Sequence, residues 1–357
     1  RDAQESRGLG DVYKRQLQRY AGTWTISQTL PVSLAHEGSE KSETTGTPNE
    51  SLISDKIFET VKVTDSTGTI LLEEGRNFLG AGAGIDAQRA PGASRALIST
   101  FDRSSTTFSC NIYALSHGIA VEDILDSQYP GSEEERAARM VGNALALKRE
   151  KRAADLIFNT AEFTNNDTAT NEFGARVDAA GADPLTGLHK LKDKVKGNSS
   201  GVSPDSLIMG YEVFRALARN EEIRGYAGTA TAGFASGSRI LQDEVVLNVL
   251  RDILGIPNIH IGAARQDTAV AGATSSESYI WGESIFMGCL RGSDAVTQKS
   301  GNVKAMPVAA LSLEFAAPMS GQYESLDRTV KYVYGEEVNV LKKIDASLGY
   351  IVTDCLT

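Results

Sequence analysis

Long apolar runs are missing from this sequence, and so is a cysteine framework. No purely apolar stretch exceeds five residues, far below the roughly 18–20 residues that a membrane-spanning helix needs, so we expect no membrane partner. The three cysteines, Cys110, Cys289 and Cys355, form no CxxC pair and no even set. Their number and spacing exclude a disulfide-rich scaffold and favour synthesis in a reducing compartment.

A strongly basic surface is also missing. The chain carries 46 Asp and Glu against 36 Lys and Arg, for a net charge of −10. Proteins that grip nucleic acid usually carry a basic patch or stripe. The basic clusters here, Lys148–Arg152 and His189–Lys196, are short and mixed, and we interpret both as solvated helix faces. An acidic chain of this kind can enclose DNA but is not built to adhere to it.

Motifs for catalysis or metal binding are incomplete or absent. Gly197–Gly201, GNSSG, fits G-x-S-x-G, but a serine-hydrolase elbow needs a strand before Ser199 and a helix after it; a Lys-rich helix and a Ser-Pro turn are predicted instead. Gly80–Gly84, GAGAG, lacks the glycine spacing and the following helix of a dinucleotide loop. No histidine lies within four residues of another or beside a cysteine, so zinc-type spacing is absent. We predict no catalytic residue, no cofactor and no metal.

What the sequence does contain is a long extended segment that leads into a long helix. Lys56–Val63 and Thr69–Glu73 are predicted strands, and a Gly- and Pro-containing tip follows that cannot form a regular helix. The return strand alternates, with Phe108, Cys110 and Ile112 on one face. An isolated hairpin is marginal in water, so a neighbouring copy must cover this arm unless the rest of the chain does. The segment therefore points to self-assembly.

The helix is predicted from Ser132 to Asn159, with Ser132 and Glu135 as a capping box. At 1.5 Å per residue it would be roughly 40 Å long, which suits a spine along which other elements pack. Its apolar stripe recurs at three- and four-residue spacing. The stripe comprises Ala137, Met140, Val141, Ala144, Leu145, Leu147, Ala154 and Phe158.

Helices and strands alternate from Pro184 to Gly292, and strands close the chain, so the fold class is α+β. Gly225–Gly237, GYAGTATAGFASG, is interpreted as a flexible loop. The predicted helices of this part are 185–195, 211–219 and 245–253, and its predicted strands are 206–209, 258–262 and 279–286. The predicted closing strands are 308–315, 329–334, 338–344 and 349–354.

The order of these segments resembles the major capsid proteins of tailed double-stranded DNA bacteriophages, over Leu17–Thr357. The resemblance rests on a series of segments and not on one decisive motif. The series is RAPG at 89–92, STTFSCNIYALSHGIAVEDI at 105–124, KREKRAADLIFNT at 148–160, VSPDSLIMGYEVFRAL at 202–217, LRDILGIPNIHIGAA at 250–264, YIWGESIFMG at 279–288 and the closing GYIVTD.

The resemblance implies an α+β tailed-phage capsid fold with a peripheral domain, an axial domain, a long extension loop and an N-terminal arm. Residues 1–16 are excluded, because Asp11–Gln16, DVYKRQ, matches a translated transposase end from DNA-sequencing libraries and is interpreted as an adapter scar. The implied layout is N-terminal arm 17–54, extension loop 55–112, peripheral domain 113–183 with spine helix 132–159, axial domain 184–292 and C-terminal peripheral strands 293–357.

The function implied is that of a structural subunit of an icosahedral phage head. Such subunits form hexamers and pentamers that enclose double-stranded DNA without sequence-specific binding. They assemble in the host bacterial cytoplasm and reside in the virion, with scaffold, portal and head-completion proteins as partners. Two alternatives stay open: an encapsulin-type compartment shell, which uses the same fold, and a serine hydrolase based on Ser199.

Two sets of contact residues follow from the resemblance. The tip of the extension loop would contact the adjacent subunit through Arg76, Gly80, Gly82, Gly84, Arg89, Pro91, Gly92 and Arg95. The loop at the capsomer centre would comprise Arg224, Gly225, Tyr226, Gly228, Gly233, Phe234 and Gly237.

Overall fold

The computed structural model describes residues 52–73, 91, 103–126, 130–199, 201–230, 243–269, 274–291, 296–299, 302–305 and 308–357. Their helices are α1 Ser54–Ile57, α2 Val121–Asp126, α3 Pro130–Ile157, α4 Ala169–Phe173, α5 Pro184–Asn198, α6 Tyr211–Arg219, α7 Glu221–Ala230 and α8 Asp243–Leu254. Their strands are β1 Thr60–Lys62, β2 Thr67–Glu73, β3 Arg103–Ser109, β4 Asn111–Ala120, β5 Asn166–Thr168, β6 Ser206–Gly210, β7 Asn258–Gly262, β8 Arg265–Asp267, β9 Glu277–Tyr279, β10 Ile285–Gly288, β11 Val296–Lys299, β12 Asn302–Ala305, β13 Ala310–Glu324, β14 Val330–Lys343 and β15 Gly349–Thr353.

A four-stranded sheet in the order β1-β13-β14-β4 carries the long helix α3 on one face. The helix approaches closely at Gly335 of β14, where a β-carbon would lie 3.0 Å from Leu145 Cδ1 and 3.1 Å from Val141 Cγ1. One helical turn earlier, Ala137 packs in a buried cluster with Val333. Glycine at position 335 therefore permits the close contact between the helix and the sheet.

The long helix confirms the predicted spine, displaced by two residues at each end. It begins at Pro130, so the predicted capping box at Ser132 is wrong. Proline suits the first turn of a helix because its fixed φ is helical and its missing N–H needs no partner there. Four of the eight stripe residues are buried, Ala137, Val141, Leu145 and Ala154. Leu147 and Phe158 are partly exposed, and Met140 and Ala144 are exposed.

A five-stranded sheet in the order β5-β15-β10-β6-β7 forms the second layer. Strand β6, which lies between β10 and β7, is buried at all five positions. Leu207 and Met209 face a core built with α5, α6 and α8, whereas Ile208 faces a second core that includes Ile57 of α1 and Ile157 of α3. Because successive side chains point to opposite faces, this sheet is packed on both sides.

Several predicted strands have different bounds in the structure. The predicted strands 329–334 and 338–344 are one continuous strand, β14, which forms a long hairpin with β13. The predicted strand 279–286 is divided into β9 and β10 by a turn at Gly282, whose φ is +53°. The final strand β15 pairs with β10 in the second sheet, although the sequence analysis grouped it with the preceding closing strands.

Candidate functional site

Strands β2 and β3, at the two ends of the predicted extension loop, belong to a four-stranded sheet in the order β11-β12-β2-β3, which we call the root. Strands β2 and β3 pair antiparallel from Thr67↔Ser109 to Glu73↔Arg103, and the hairpin β11–β12 adds to β2 in parallel. Sequence reasoning missed this hairpin. Its signal was present, because two strand-like runs, VTQK and NVKA, are separated by Ser-Gly, a two-residue hairpin connection.

This root packs on the body of the same chain. Ile70 is fully buried and Phe108 is 5% exposed, in a core shared with β1, β13 and β14. The predicted apolar face is wrong at Ile112, which is 67% exposed, because the chain passes from one sheet to the other at Cys110. The predicted need for a neighbouring copy therefore does not apply to the root. It stays a prediction for residues 74–102, of which the structure describes Pro91.

Of the predicted tip residues, the structure describes Pro91, an exposed turn residue. The other predicted tip residues lie outside the described residues. These are Arg76, Gly80, Gly82, Gly84, Arg89, Gly92 and Arg95.

The predicted capsomer-centre loop is helical in its first part. Helix α7 runs through Gly225 and Gly228 to Ala230, so the prediction of a loop from Gly225 onwards is wrong there. The side chain of Asn220 accepts a hydrogen bond from the Glu222 amide at 3.0 Å, which satisfies a free donor of the first turn. Ile223 is fully buried in the core beneath. This burial outweighs the low helix propensity of glycine.

Helix α7 presents its polar and aromatic residues outward. Tyr226 is 57% exposed and Arg224 is partly exposed. Gly233, Phe234 and Gly237 lie outside the described residues. The structure therefore places the described members of one predicted set on a helix and the described member of the other, Pro91, in a turn.

A buried carboxylate joins the residues that precede the predicted extension loop to the long helix α3. Glu150 of α3 is fully buried and accepts hydrogen bonds from the Ile53 amide at 3.0 Å, the Ser54 amide at 2.8 Å and the Trp281 indole N–H at 2.7 Å. These donors belong to the α1 start and to the turn between β9 and β10. One side chain thus holds three separate parts of the chain.

The prediction that Lys148–Arg152 forms a solvated helix face is wrong for its central residues. Besides Glu150, the side chains of Arg149 and Arg152 are only 14% and 22% exposed. Arg152 pairs with Glu337 and its guanidinium lies 3.5 Å from the Tyr113 ring centre. The charges connect α3 to the sheet, which explains why they lie on a packed face. The sequence did carry a signal that Glu150 lies on the packed face, because Ala153 and Ala154 follow it at the three- and four-residue spacing of one helix face.

A second buried carboxylate ties the closing strand to α4 and α5. Glu172 is 2% exposed, accepts from the Tyr350 hydroxyl at 2.8 Å and pairs with Lys194. Burial and the hydrogen bond to Glu172 raise the pKa of Tyr350. Burial opposes the charge of Lys194, but its hydrogen bonds to Glu172 and Tyr350 outweigh it and raise the pKa. Both donors therefore stay protonated at neutral pH, as a structural link requires.

His260 and the three cysteines are neutral at neutral pH. Burial, followed by the nearby charges of Arg291, Lys56 and Arg251, lowers the pKa of His260 to about 4. All three cysteines are free and buried. Burial raises the pKa of two of these thiols, Cys289 and Cys355, to about 12, and also raises that of Cys110.

The geometry around Ser199 does not form a hydrolase elbow. Ser199 follows helix α5 instead of a strand, and its hydroxyl donates to the Val202 carbonyl at 2.9 Å. Across the described ranges, no three His, Cys, Asp or Glu side chains form a group that could hold a metal ion. In the same part of the chain, no helix has the length and apolarity needed to cross a membrane.

Comparisons with known proteins identify the fold. No protein-family model matches the chain, and no curated protein matches it either. A phage-related protein from Bordetella bronchiseptica RB50 is similar, with a TM-score of 0.60 at 17% identity over 85% of this chain and 92% of that one. The capsid of the cyanophage P-SCSP1u matches with a TM-score of 0.53 at 10% identity, over 89% and 92%. The mature capsid of bacteriophage PhiM1 matches with a TM-score of 0.51 at 12% identity, again over 89% and 92%.

The chain therefore has the α+β fold of phage capsid proteins, as the resemblance implied. The match covers most of this chain and most of each similar chain.

Proposed function

We propose that this chain is the structural subunit of an icosahedral phage head. The observation that carries the proposal is the fold likeness to phage capsids over 89% of the chain. Fold by itself does not fix function, because one fold serves several roles. The contact surfaces add support: a sheet-rooted extension loop and an exposed aromatic on α7 suit a protein whose activity is self-association.

The subunits would form homo-oligomeric hexamers and pentamers that enclose double-stranded DNA. The net charge of −10 suits a container from which the genome is later released. Scaffold, portal and head-completion proteins would be further partners. The shell would assemble in the host bacterial cytoplasm and persist in the virion, without enzyme activity, cofactor or metal.

In this proposal residues 55–112 form the extension loop, 113–183 with 293–357 form the peripheral domain, and 184–292 form the axial domain. The strand β15 adds a physical link between the last two, since it pairs with β10. The tip of the extension loop would contact the adjacent subunit. Helix α7 and the residues after it would line the capsomer centre.

Negative-stain electron microscopy of the whole chain, fractionated by size, tests the proposal. Rings of five or six subunits or closed shells are the expected result. A strictly monomeric protein at tens of micromolar, even with a co-expressed scaffold, would contradict it. Shells that copurify with nucleic acid in a phage lysate support a phage head, whereas shells filled with an enzyme would support the encapsulin alternative.

Deletion of Gly80–Arg95 tests the role assigned to the tip. The root sheet lies outside the deletion, so the subunit should keep its melting temperature while rings and shells are lost. Ser199→Ala is the matched control, which should assemble normally if the hydrolase reading is wrong. An unfolded deletion variant would mean that the tip belongs to the core of its own subunit.

A further inference from the structure

Strand β4 forms a long open edge of the four-stranded sheet. Among the described residues it pairs with β14 alone, one to one from Asn111↔Asn339 to Ala120↔Val330, without a bulge. Seven of its ten residues are exposed. A long, regular, unpaired edge presents free N–H and C=O groups to which another strand can add.

The opposite edge of the same sheet, formed by β1 and β13, is protected against the addition of another strand. Beyond its short pairing with β1, strand β13 contains Pro318 and two register shifts against β14, at 314–316 and 316–319. Proline and bulges are the devices by which proteins block strand addition. Strand β4 has neither device, although it lies in the same sheet.

The β4 edge also lacks charge, in an acidic chain. No charged side chain occurs from residue 104 to residue 121, while 23% of the whole chain is charged and its net charge is −10. Exposed aliphatic side chains lie on both sides of the strand, Ile112 at 67% and Leu115 at 37% exposure. The strand itself therefore adds no like-charge repulsion to a contact between two copies. Asp123, Asp126, Glu133 and Arg136 lie beside its last residues, 117–119.

We propose that β4 is a contact between copies, in which β4 of one subunit pairs antiparallel with β4 of a second across a twofold axis. The inference rests on the proposed function and assigns the edge to contacts between capsomers. A twofold contact uses the same surface on both partners, whereas contacts within a ring join different surfaces. Antiparallel pairing of identical uncharged strands meets this condition, because each strand supplies the same pattern of side chains and backbone donors.

A cysteine scan tests the pairing in the full chain. Single cysteines are introduced at each position from 112 to 118, and assembled protein is oxidised with oxidised glutathione. The native thiols are buried, so the introduced thiol is the reactive one. Directly opposed residues in an antiparallel pair lie about 4.5–5.5 Å apart, within disulfide range. The expected result is an intermolecular disulfide at one or two adjacent positions, joining a residue to the same residue of the other copy.

Two other results of the scan would overturn the proposal. One is the absence of an intermolecular disulfide at every position from 112 to 118, in protein that has formed shells. The other is a disulfide to a different cysteine, such as a native thiol or one of an added scaffold protein, which peptide mass spectrometry identifies. If wild-type protein forms neither rings nor shells, the proposed function fails. The scan can still be read on that soluble protein. Disulfides between the same residue of two copies then support β4 pairing, and their absence overturns it.

Charge insertion at the edge gives an independent measurement. Ala114→Lys with Ser116→Lys places like charges opposite one another across the twofold axis, at exposed positions outside the core. Rings should persist, while the subunit concentration needed for shells rises roughly tenfold, equal to about 1.4 kcal/mol of contact free energy. Gln322→Lys, exposed on the protected edge, is the matched control and should assemble as wild type. Equal assembly of the edge variant and the control overturns the proposal.

Discussion

Replacing Glu150 with alanine should destabilise the subunit severely and release the segment at Ile53 and Ser54, just before the proposed extension loop. The carboxylate is fully buried and accepts from three donors: the amides of Ile53 and Ser54 and the indole of Trp281. Removing it leaves three buried N–H groups without an acceptor. Each orphaned donor costs about 1–3 kcal/mol, while release of the buried charge returns part of that loss.

The net expectation is a loss of about 3–5 kcal/mol, the range observed when one partner of a buried charged interaction is removed. That is a large share of the ~5–15 kcal/mol by which domains are stable. Glu150→Gln keeps the size and one acceptor oxygen, so it should lose about 1–3 kcal/mol. The expected order of stability is wild type, then Gln, then Ala.

Guanidinium unfolding of the full chain, followed by far-UV circular dichroism and tryptophan fluorescence, measures these differences. Glu135→Ala on the same helix is the matched control. Its ion pair with Arg139 is more than half exposed on both sides, so it should lose less than about 0.5 kcal/mol. A loss below about 1 kcal/mol for Glu150→Ala would show that the three donors find other acceptors. Glu150 would then not hold the segment at Ile53 and Ser54 in place.

Three further predictions concern buried groups. The pKa of His260 falls to about 4 on folding, so its contribution to stability is complete above about pH 6.5 and is lost as pH falls toward 4. In urea unfolding, the wild type should therefore lose about 2–3 kcal/mol more than His260→Gln between pH 7 and 4.5. Equal losses would contradict this. Gly335→Val should lower the free energy of unfolding by about 1–3 kcal/mol through overpacking against α3, whereas Gly197→Ala, with open space around it, should be neutral or stabilising in a thermal melt. The thiols of Cys289 and Cys355 should react with a disulfide reagent at pH 8 only after denaturation, and rapid labelling of the folded protein would refute their burial.

Local patterns predicted much of the secondary structure, because periodicity and helix-ending residues act within a few residues of one another. Helix α6 and strand β7 have the predicted bounds, and α8 ends at Gly255, whose φ is +63°. The spine helix was predicted for the same reason, since its buried stripe repeats at helical spacing. The capsid-like order of elements followed from these segments together, and the fold comparisons confirm it.

The predictions failed where distant parts of the chain decide the outcome. Helix α7 forms through two glycines because Ile223 is buried against residues far away in sequence. The hairpin β11–β12 carried a local turn signal, but its pairing with β2 joins residues more than 200 positions apart. Glu150 and Arg152 look solvated in sequence but are fully and largely buried in the structure, because Trp281, Glu337 and Asn339 provide their partners.

By itself, the sequence determined the fold class, the spine helix, the absence of basic and membrane-type patterns, and a long extended arm that suggests self-assembly. Each of these depends on composition or on spacing along the chain. Only the tertiary structure decided that the root of the arm belongs to its own subunit, that Glu150 connects three parts of the chain, and that β4 is an open edge. These features depend on pairing and burial between residues distant in sequence, which local spacing does not encode.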